Sequence, residues 1–416
     1  MNRFSSVAAA PTPTLPRCAG EGEDLAVVRK IIRCLLTPSL AERGRAGVGA
    51  AAAATLMFLT PIAHAQEIPT YAPLPPAAAQ QSQLPNVVLM SMGGTIASRG
   101  DVRLNITNYG GKDYPRVDPE HWYKDLPELA GIANITLEDQ RAPQDRPTGS
   151  ETHEDFARVA RRLNELAADP KVDGIVVTHG TNTMAETAYY MNLTVKTDKP
   201  IVFVGAQRPW TGLSGDGPRN LYDAVRVAAS KEARGKGVLH CMNQFINTAR
   251  DVDKTSAYRV DTFKGVDVGA IGFADPDKVV FYREPLRRHT SGSEFAGMDF
   301  QTLPAVEVAF AYRDAPGYLI DTMVERGVKG IVVEGTGAGS PTGPQTEALK
   351  RAQAKGVVVV ATARTQGGRV QDTPRRREAN IVPGDNLVPE KARILLQLAL
   401  TKTSDLAQVK RIFDEY

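Results

Sequence analysis

Three short segments combine glycine with hydroxyl side chains directly after apolar runs. They are Gly93-Gly94-Thr95, His179-Gly180-Thr181-Asn182-Thr183 and Gly335-Thr336-Gly337-Ala338-Gly339-Ser340. Glycine lets backbone N–H groups approach a ligand closely, and threonine supplies an oxygen. Together they suit attack by an alcohol on a carbonyl whose oxyanion is held by main-chain donors. Other chemistries lack their signatures. GTGAGS is missing the third glycine of a dinucleotide fingerprint, and no GxxxxGKS or GxxxxGKT exists to cradle phosphates. No GxSxG nucleophile elbow is present. His121, His153, His179, His240 and His289 show neither HExxH nor HxxxH spacing, so no metal site is expected. His179 reads as a structural residue, and Cys241, inside the strand-like GVLHCMN, as a buried small hydrophobe rather than a nucleophile.

Such loops work only if a sheet presents them, and in open parallel sheets ligands bind beyond the carboxyl ends of the strands. NVVLM (86–90) is a buried-strand run ending in the first glycine loop. Ser150 is placed as a helix N-cap, with Phe156, Val159, Leu163 and Leu166 following at helical spacing. GIVVT (174–178) leads into the second loop and a helix from about Met184. PIVFVGAQ (200–207) precedes a helix around Leu221, Val225 and Ala228, and GVLHCMN (237–243) is a fifth strand. The rhythm pauses in a polar stretch at about 283–303 and resumes with AVEVAFAY, GIVVEG and GVVVVATA. The segment from Pro389 to the C-terminus reads as two amphipathic helices. The pattern predicts an α/β protein: a larger N-terminal domain with a mainly parallel sheet (86–283), a linker (284–303) and a smaller C-terminal α/β domain (304–416).

Composition agrees with a folded body behind an exported leader. The chain has 416 residues, 42% hydrophobic and 23% charged, which excludes a disordered chain and a polytopic membrane protein. A chain this long buries enough surface to fold without disulfides or a structural metal. Residues 1–65 hold seven Lys/Arg and four Asp/Glu, so they carry the whole net charge of +3; the rest is balanced and lacks the basic excess of a nucleic-acid binder. Arg43 and Arg45 precede the uncharged run AGVGAAAAATLMFLT, then Pro61 and Ala63-His64-Ala65. This is the pattern of a secretory signal cleaved after Ala65. The run is short for a membrane span of about 20 residues, so no stable membrane insertion is expected. Residues 66–85, rich in Pro, Ala and Gln, read as a tether. Of the three cysteines only Cys241 would survive cleavage, so no intramolecular disulfide is expected in the exported chain.

Four motifs resemble bacterial type II L-asparaginases: MGGTIAS at 92–98, VVTHGTNTMAETAYYMNLTVKTDKPIVFVGAQRP at 176–209, RDVDKTSAYRVDTFKG at 250–265 and ARILLQLALTKTSD at 392–405. The resemblance covers about 86–416. It implies cofactor-free hydrolysis of the side-chain amide of asparagine, with some action on glutamine, by a homotetramer whose sites form at dimer interfaces. It maps the nucleophile to Thr95 and its tyrosine partner to Tyr109, with Tyr114 second. The second threonine of the site maps to Thr181 and its lysine to Lys254. The pair that grips the substrate's α-carboxylate and α-amino group maps to Ser150-Glu151. Ser340 stands where family members carry asparagine or serine. Two departures are visible. The family motif reads HGTD where this chain has Asn182, and the acid that a neighbouring subunit contributes finds only Asp372 or Glu378 in this region.

The residues carry a physical logic of their own. A threonine hydroxyl attacks well only when a base takes its proton. A lysine does not do so at its ordinary pKa of about 10.4, but desolvation lowers that value. Lys254 beside Thr181 therefore suits the role, with N–H groups near Gly94, Thr181 and Ala206 holding the oxyanion. Two rival readings stand beside this one: an amidase for a related amide lacking a free α-amino group, since Asn182 removes a carboxylate, and a periplasmic amino-acid-binding protein. Retention of Thr95, Thr181 and Lys254 favours an enzyme, because binding alone needs no alcohol–lysine pair.

Overall fold

The computed structural model describes residues 84–110, 116–142 and 152–416. Fourteen strands are found among them. In the first half these are β1 (Asn86–Ser91), β2 (Asn134–Asp139), β3 (Gly174–Thr178), β4 (Ile201–Val204), β5 (Val238–Met242), β6 (Phe245–Thr248), β7 (Val252–Lys254), β8 (Phe263–Gly265), β9 (Gly272–Ala274) and β10 (Val279–Phe281). The second half holds β11 (Val306–Phe310), β12 (Gly330–Gly335), β13 (Val358–Ala363) and β14 (Ile381–Pro383). The α-helices are α1 (Pro119–Asp125), α2 (His153–Ala168), α3 (Met184–Thr194), α4 (Gly217–Ala229), α5 (Tyr318–Glu325), α6 (Gly343–Ala354), α7 (Pro374–Glu378), α8 (Pro389–Leu400) and α9 (Leu406–Glu415).

The large sheet runs β10-β9-β6-β5-β4-β3-β1-β2. Its parallel part, β2-β1-β3-β4-β5, is built from the Val/Ile-rich runs, and β3 and β4 are buried along their whole length. Continuous apolar runs of this kind are what a sheet covered on both faces requires. The rhythm changes after β5. No helix of the βα kind follows; β6 folds back antiparallel, and β9 and β10 extend the same edge antiparallel. The smaller sheet, β11-β12-β13-β14, is parallel throughout. A mainly parallel larger sheet followed by a smaller α/β unit is the architecture expected from the sequence.

Helix ends show the local chemistry. Helix α2 starts at His153 rather than at Ser150. Thr152 is its N-cap, and the Asp155 carboxylate accepts from the Thr152 N–H at 2.7 Å and from its hydroxyl at 2.9 Å. Ser150 itself lies outside the described residues. Helix α6 is capped by Thr342, whose Oγ1 accepts from the Gln345 N–H at 3.2 Å. His240 and Cys241 on β5 are fully buried. Burial pushes the His240 imidazolium down to about 3 and the Cys241 thiol upward, so both are neutral core groups, with the His240 and Phe263 ring centroids 4.4 Å apart at a tilt of 37°.

Candidate active site

Strands β1 and β3 are parallel neighbours with Ser91 level with Thr178, so the first and second glycine loops leave the sheet side by side. They touch through backbone. Gly94 has φ +87°, and a Cβ placed there would lie 2.4 Å from the Gly180 Cα. Only glycine fits both the left-handed conformation and that approach. Each touching glycine is followed directly by a threonine, Thr95 and Thr181, and both are buried.

Each threonine has its own partner. The Thr95 and Tyr109 hydroxyls are 2.9 Å apart. The chain reaches Tyr109 through an antiparallel bridge to Gly100, and the Gly100 N–H donates to Thr211 Oγ1 at 3.2 Å. Ser98 Oγ donates to the Gly94 carbonyl at 2.9 Å and steadies the start of this loop. On the other side, Lys254 Nζ donates to Thr181 Oγ1 at 2.8 Å and reaches Asn182 Oδ1 at 3.5 Å. Lys254 ends the short strand β7 and is half-buried, and burial lowers its pKa. The lower value increases the neutral fraction at a given pH.

Ala206 is held at the end of β4 by the Asp216 carboxylate, which accepts from the N–H groups of Gln207 at 2.9 Å and Arg208 at 2.9 Å. Asn220 Nδ2 donates to the Gly205 carbonyl at 3.1 Å. The N–H groups of Gly94, Thr181 and Ala206 donate to no acceptor among the described residues. His179 is buried, with Nδ1 2.8 Å from the Gly180 carbonyl oxygen.

Thr181, Asn182 and Lys254 also line a cavity of about 550 Å³ together with Glu186, Asp253, Glu334, Arg364 and Glu390. Glu186, Glu334 and Glu390 come from distant parts of the chain, and no local pattern in the sequence marks them as neighbours of Lys254. Burial, followed by the charge of Glu390, pushes Glu186 up, and burial pushes Asp253 to about 6. Among the described residues no group of three or more His, Cys, Asp or Glu is arranged to hold a metal ion.

The remaining expected site residues fall elsewhere. Ser340 is exposed in a turn closed by a Thr336–Ser340 bridge; it borders a separate cavity with Arg375 and Arg376. Asp372 pairs with Arg377 at 3.1 Å, and Glu378 ends α7; neither lines the Lys254 cavity. Ser150, Glu151 and Tyr114 lie outside the described residues.

The fold and the two adjoining hydroxyl pairs define an α/β protein whose neighbouring glycine loops present two threonines side by side. The comparisons narrow the class. Residues 86–287 match the family model "Asparaginase, N-terminal", and residues 305–413 match "Glutaminase/Asparaginase C-terminal domain". The chain is 40% identical over 342 residues to "L-asparaginase 2" of Bacillus subtilis, covering 82% of this chain and 89% of that protein. It is 39% identical over 371 residues to "Glutaminase-asparaginase" of Pseudomonas fluorescens, covering 88% and 97%. Its fold matches the crystal structure titled "Probable Cytoplasmic L-asparaginase from Campylobacter jejuni" with a TM-score of 0.75 and 38% identity, over 80% of this chain and 100% of that one. The chain belongs to the asparaginase family.

Proposed function

We propose that this protein hydrolyses L-asparagine to L-aspartate and ammonia, with L-glutamine as a second substrate, through Thr95 as nucleophile and without a cofactor. The observation that carries the reading is the Gly94–Gly180 contact, which sets the Thr95–Tyr109 pair beside the Thr181–Lys254 pair. Thr95 Oγ1 attacks the amide carbon, and its proton passes to neutral Lys254 directly or through water. The oxyanion is held by the N–H groups of Gly94, Thr181 and Ala206; each such donor contributes roughly 3–4 kcal/mol. The amide nitrogen then takes the proton, the C–N bond breaks, and ammonia leaves. Water cleaves the Thr95 ester and restores the hydroxyl. Ser150 and Glu151 grip the α-carboxylate and α-amino group.

Ammonia release by the purified chain from asparagine, glutamine and an amide without the α-amino group tests this. Release from asparagine is expected; cleavage of the third amide alone overturns it. Asn182 supports that second reading, an amidase for substrates without a free α-amino group, because a neutral side chain stands where the family motif has a carboxylate. A charge-assisted hydrogen bond contributes about 1.5–3 kcal/mol against about 0.5–1.5 for a neutral one. Asn182→Asp is therefore expected to lower KM for the two amino acids on the order of tenfold, since 1.4 kcal/mol is a factor of ten. It should also move the acid limb of kcat to higher pH, because a new negative neighbour raises the Lys254 pKa. An unchanged KM would place the ammonium on another acid, Glu151 first.

Export and assembly belong to the same proposal. The basic flank, apolar run and Ala63-His64-Ala65 support cleavage after Ala65. No helix among the described residues is long and apolar enough to cross a membrane. The resemblance to type II L-asparaginases, which implies sites formed at dimer interfaces, supports assembly as a homotetramer. N-terminal sequencing of the host protein should begin at Gln66, and light scattering should give a four-chain mass. An intact leader or a monomer overturns the respective part.

A further inference from the structure

The strand that carries Lys254 belongs to neither large sheet. β7 pairs only with β8, in a two-stranded ribbon of three residues each. A ribbon this small is marginal by itself, so something else must fix where Lys254 points.

The C-terminal domain supplies it. Lys391, the third residue of α8, is fully buried. Its Nζ donates to the carbonyls of Arg250 at 3.0 Å and Val252 at 2.5 Å and forms an ion pair with Asp253 Oδ1 at 3.1 Å. Two hydrogen bonds and one ion pair from this single ammonium thus fall on Arg250, Val252 and Asp253, within the four residues that precede Lys254. Arg250 ties the same segment down a second time, through Asn386 Oδ1 at 2.9 Å and the Tyr416 carbonyl at 2.8 Å. Burying an ammonium is costly, and a hydrophobic side chain of similar size would often pack at least as well. Packing of α8 therefore does not account for a lysine at this position, whereas fixing the β7 backbone does.

We propose that Lys391 is a positioning residue for the reaction, by which the C-terminal domain holds the strand that aims Lys254 at Thr181. The inference rests on the reading of Lys254 as the proton acceptor. It assigns Lys391 no contact with substrate. The other charged groups around Lys254 are Asp253, Glu186, Glu334, Glu390 and Arg364 on the cavity wall.

The test measures kcat and KM per folded molecule, with melting temperature alongside, in the full chain. Lys391→Met removes all three contacts and is expected to lower kcat on the order of a hundredfold while KM stays within about threefold. If that variant does not fold, Lys391→Met/Asp253→Asn removes both buried charges together and leaves no unpaired carboxylate; the same loss of kcat is expected. Arg393→Met is the control. Arg393 sits on the same helix, and its Nε donates to the Val306 carbonyl at 2.8 Å, away from β7. It should lower the melting temperature and leave kcat unchanged. Wild-type kcat in either folded Lys391 variant, or an equal loss in Arg393→Met, overturns the proposal. Lys254→Met is run in parallel: if it keeps wild-type activity, the reading of Lys254 fails instead.

Discussion

Thr95→Ala is expected to remove ammonia release from asparagine while the protein stays folded and still binds substrate. The hydroxyl at position 95 is 2.9 Å from Tyr109 Oη, in a short turn after β1, and the preceding Gly94 packs on the Gly180 backbone. Removing it costs one hydrogen bond, about 1 kcal/mol, small against a total stability of about 5–15 kcal/mol. Chemistry loses far more. Loss of the nucleophile lowers turnover by up to about a millionfold in other hydrolases. Thr95→Ser keeps the attacking oxygen and should keep measurable activity, and mass spectrometry of quenched wild type should find an acyl group on Thr95. More than a few per cent of wild-type ammonia release in Thr95→Ala would falsify the nucleophile assignment, and attention would pass to Thr181.

What the sequence made legible follows from how much of each feature is local. The buried strands β1, β3, β4, β12 and β13 are continuous Val/Ile-rich runs, and the glycine loops announce themselves by composition. The antiparallel edge β6-β9-β10 was not legible. Its strands are three or four residues long, too short for any period, and they form because the sheet edge offers them partners. The start of α2 was displaced because both Ser150 and Thr152 are good caps; Asp155 three residues on decides for Thr152. For the site, composition suggested hydroxyl and glycine loops, and the resemblance chose Thr95, Tyr109, Thr181 and Lys254 among them. The contact of Gly94 with Gly180 is a tertiary fact with no local signature. Lys391 was hidden for a stronger reason. In PEKARILLQLAL it reads as a solvated helix residue, the usual fate of lysine, and only the fold reveals that it is fully buried.

Lys254→Met is expected to lower kcat on the order of a thousandfold, within the range that a positioned general base contributes. The sign of its pH dependence follows from burial. Desolvation disfavours the ammonium form, so the Lys254 pKa lies below the ordinary lysine value. If the neutral amine takes the Thr95 proton, wild-type kcat rises with pH through that lowered value and levels off above it. In Lys254→Met this limb should vanish and leave a low, flatter profile. Charge and base roles separate with a second substitution. Lys254→Arg keeps the positive charge near Thr181 and Asn182, but a guanidinium does not give up its proton in proteins. A base role therefore predicts that arginine is nearly as inactive as methionine. A purely electrostatic role predicts that arginine restores much of the activity, and that result would make Lys254 a fixed charge rather than the proton acceptor. The 2.8 Å contact from Nζ to Thr181 Oγ1 is compatible with either role; the pH limb and the arginine variant decide between them.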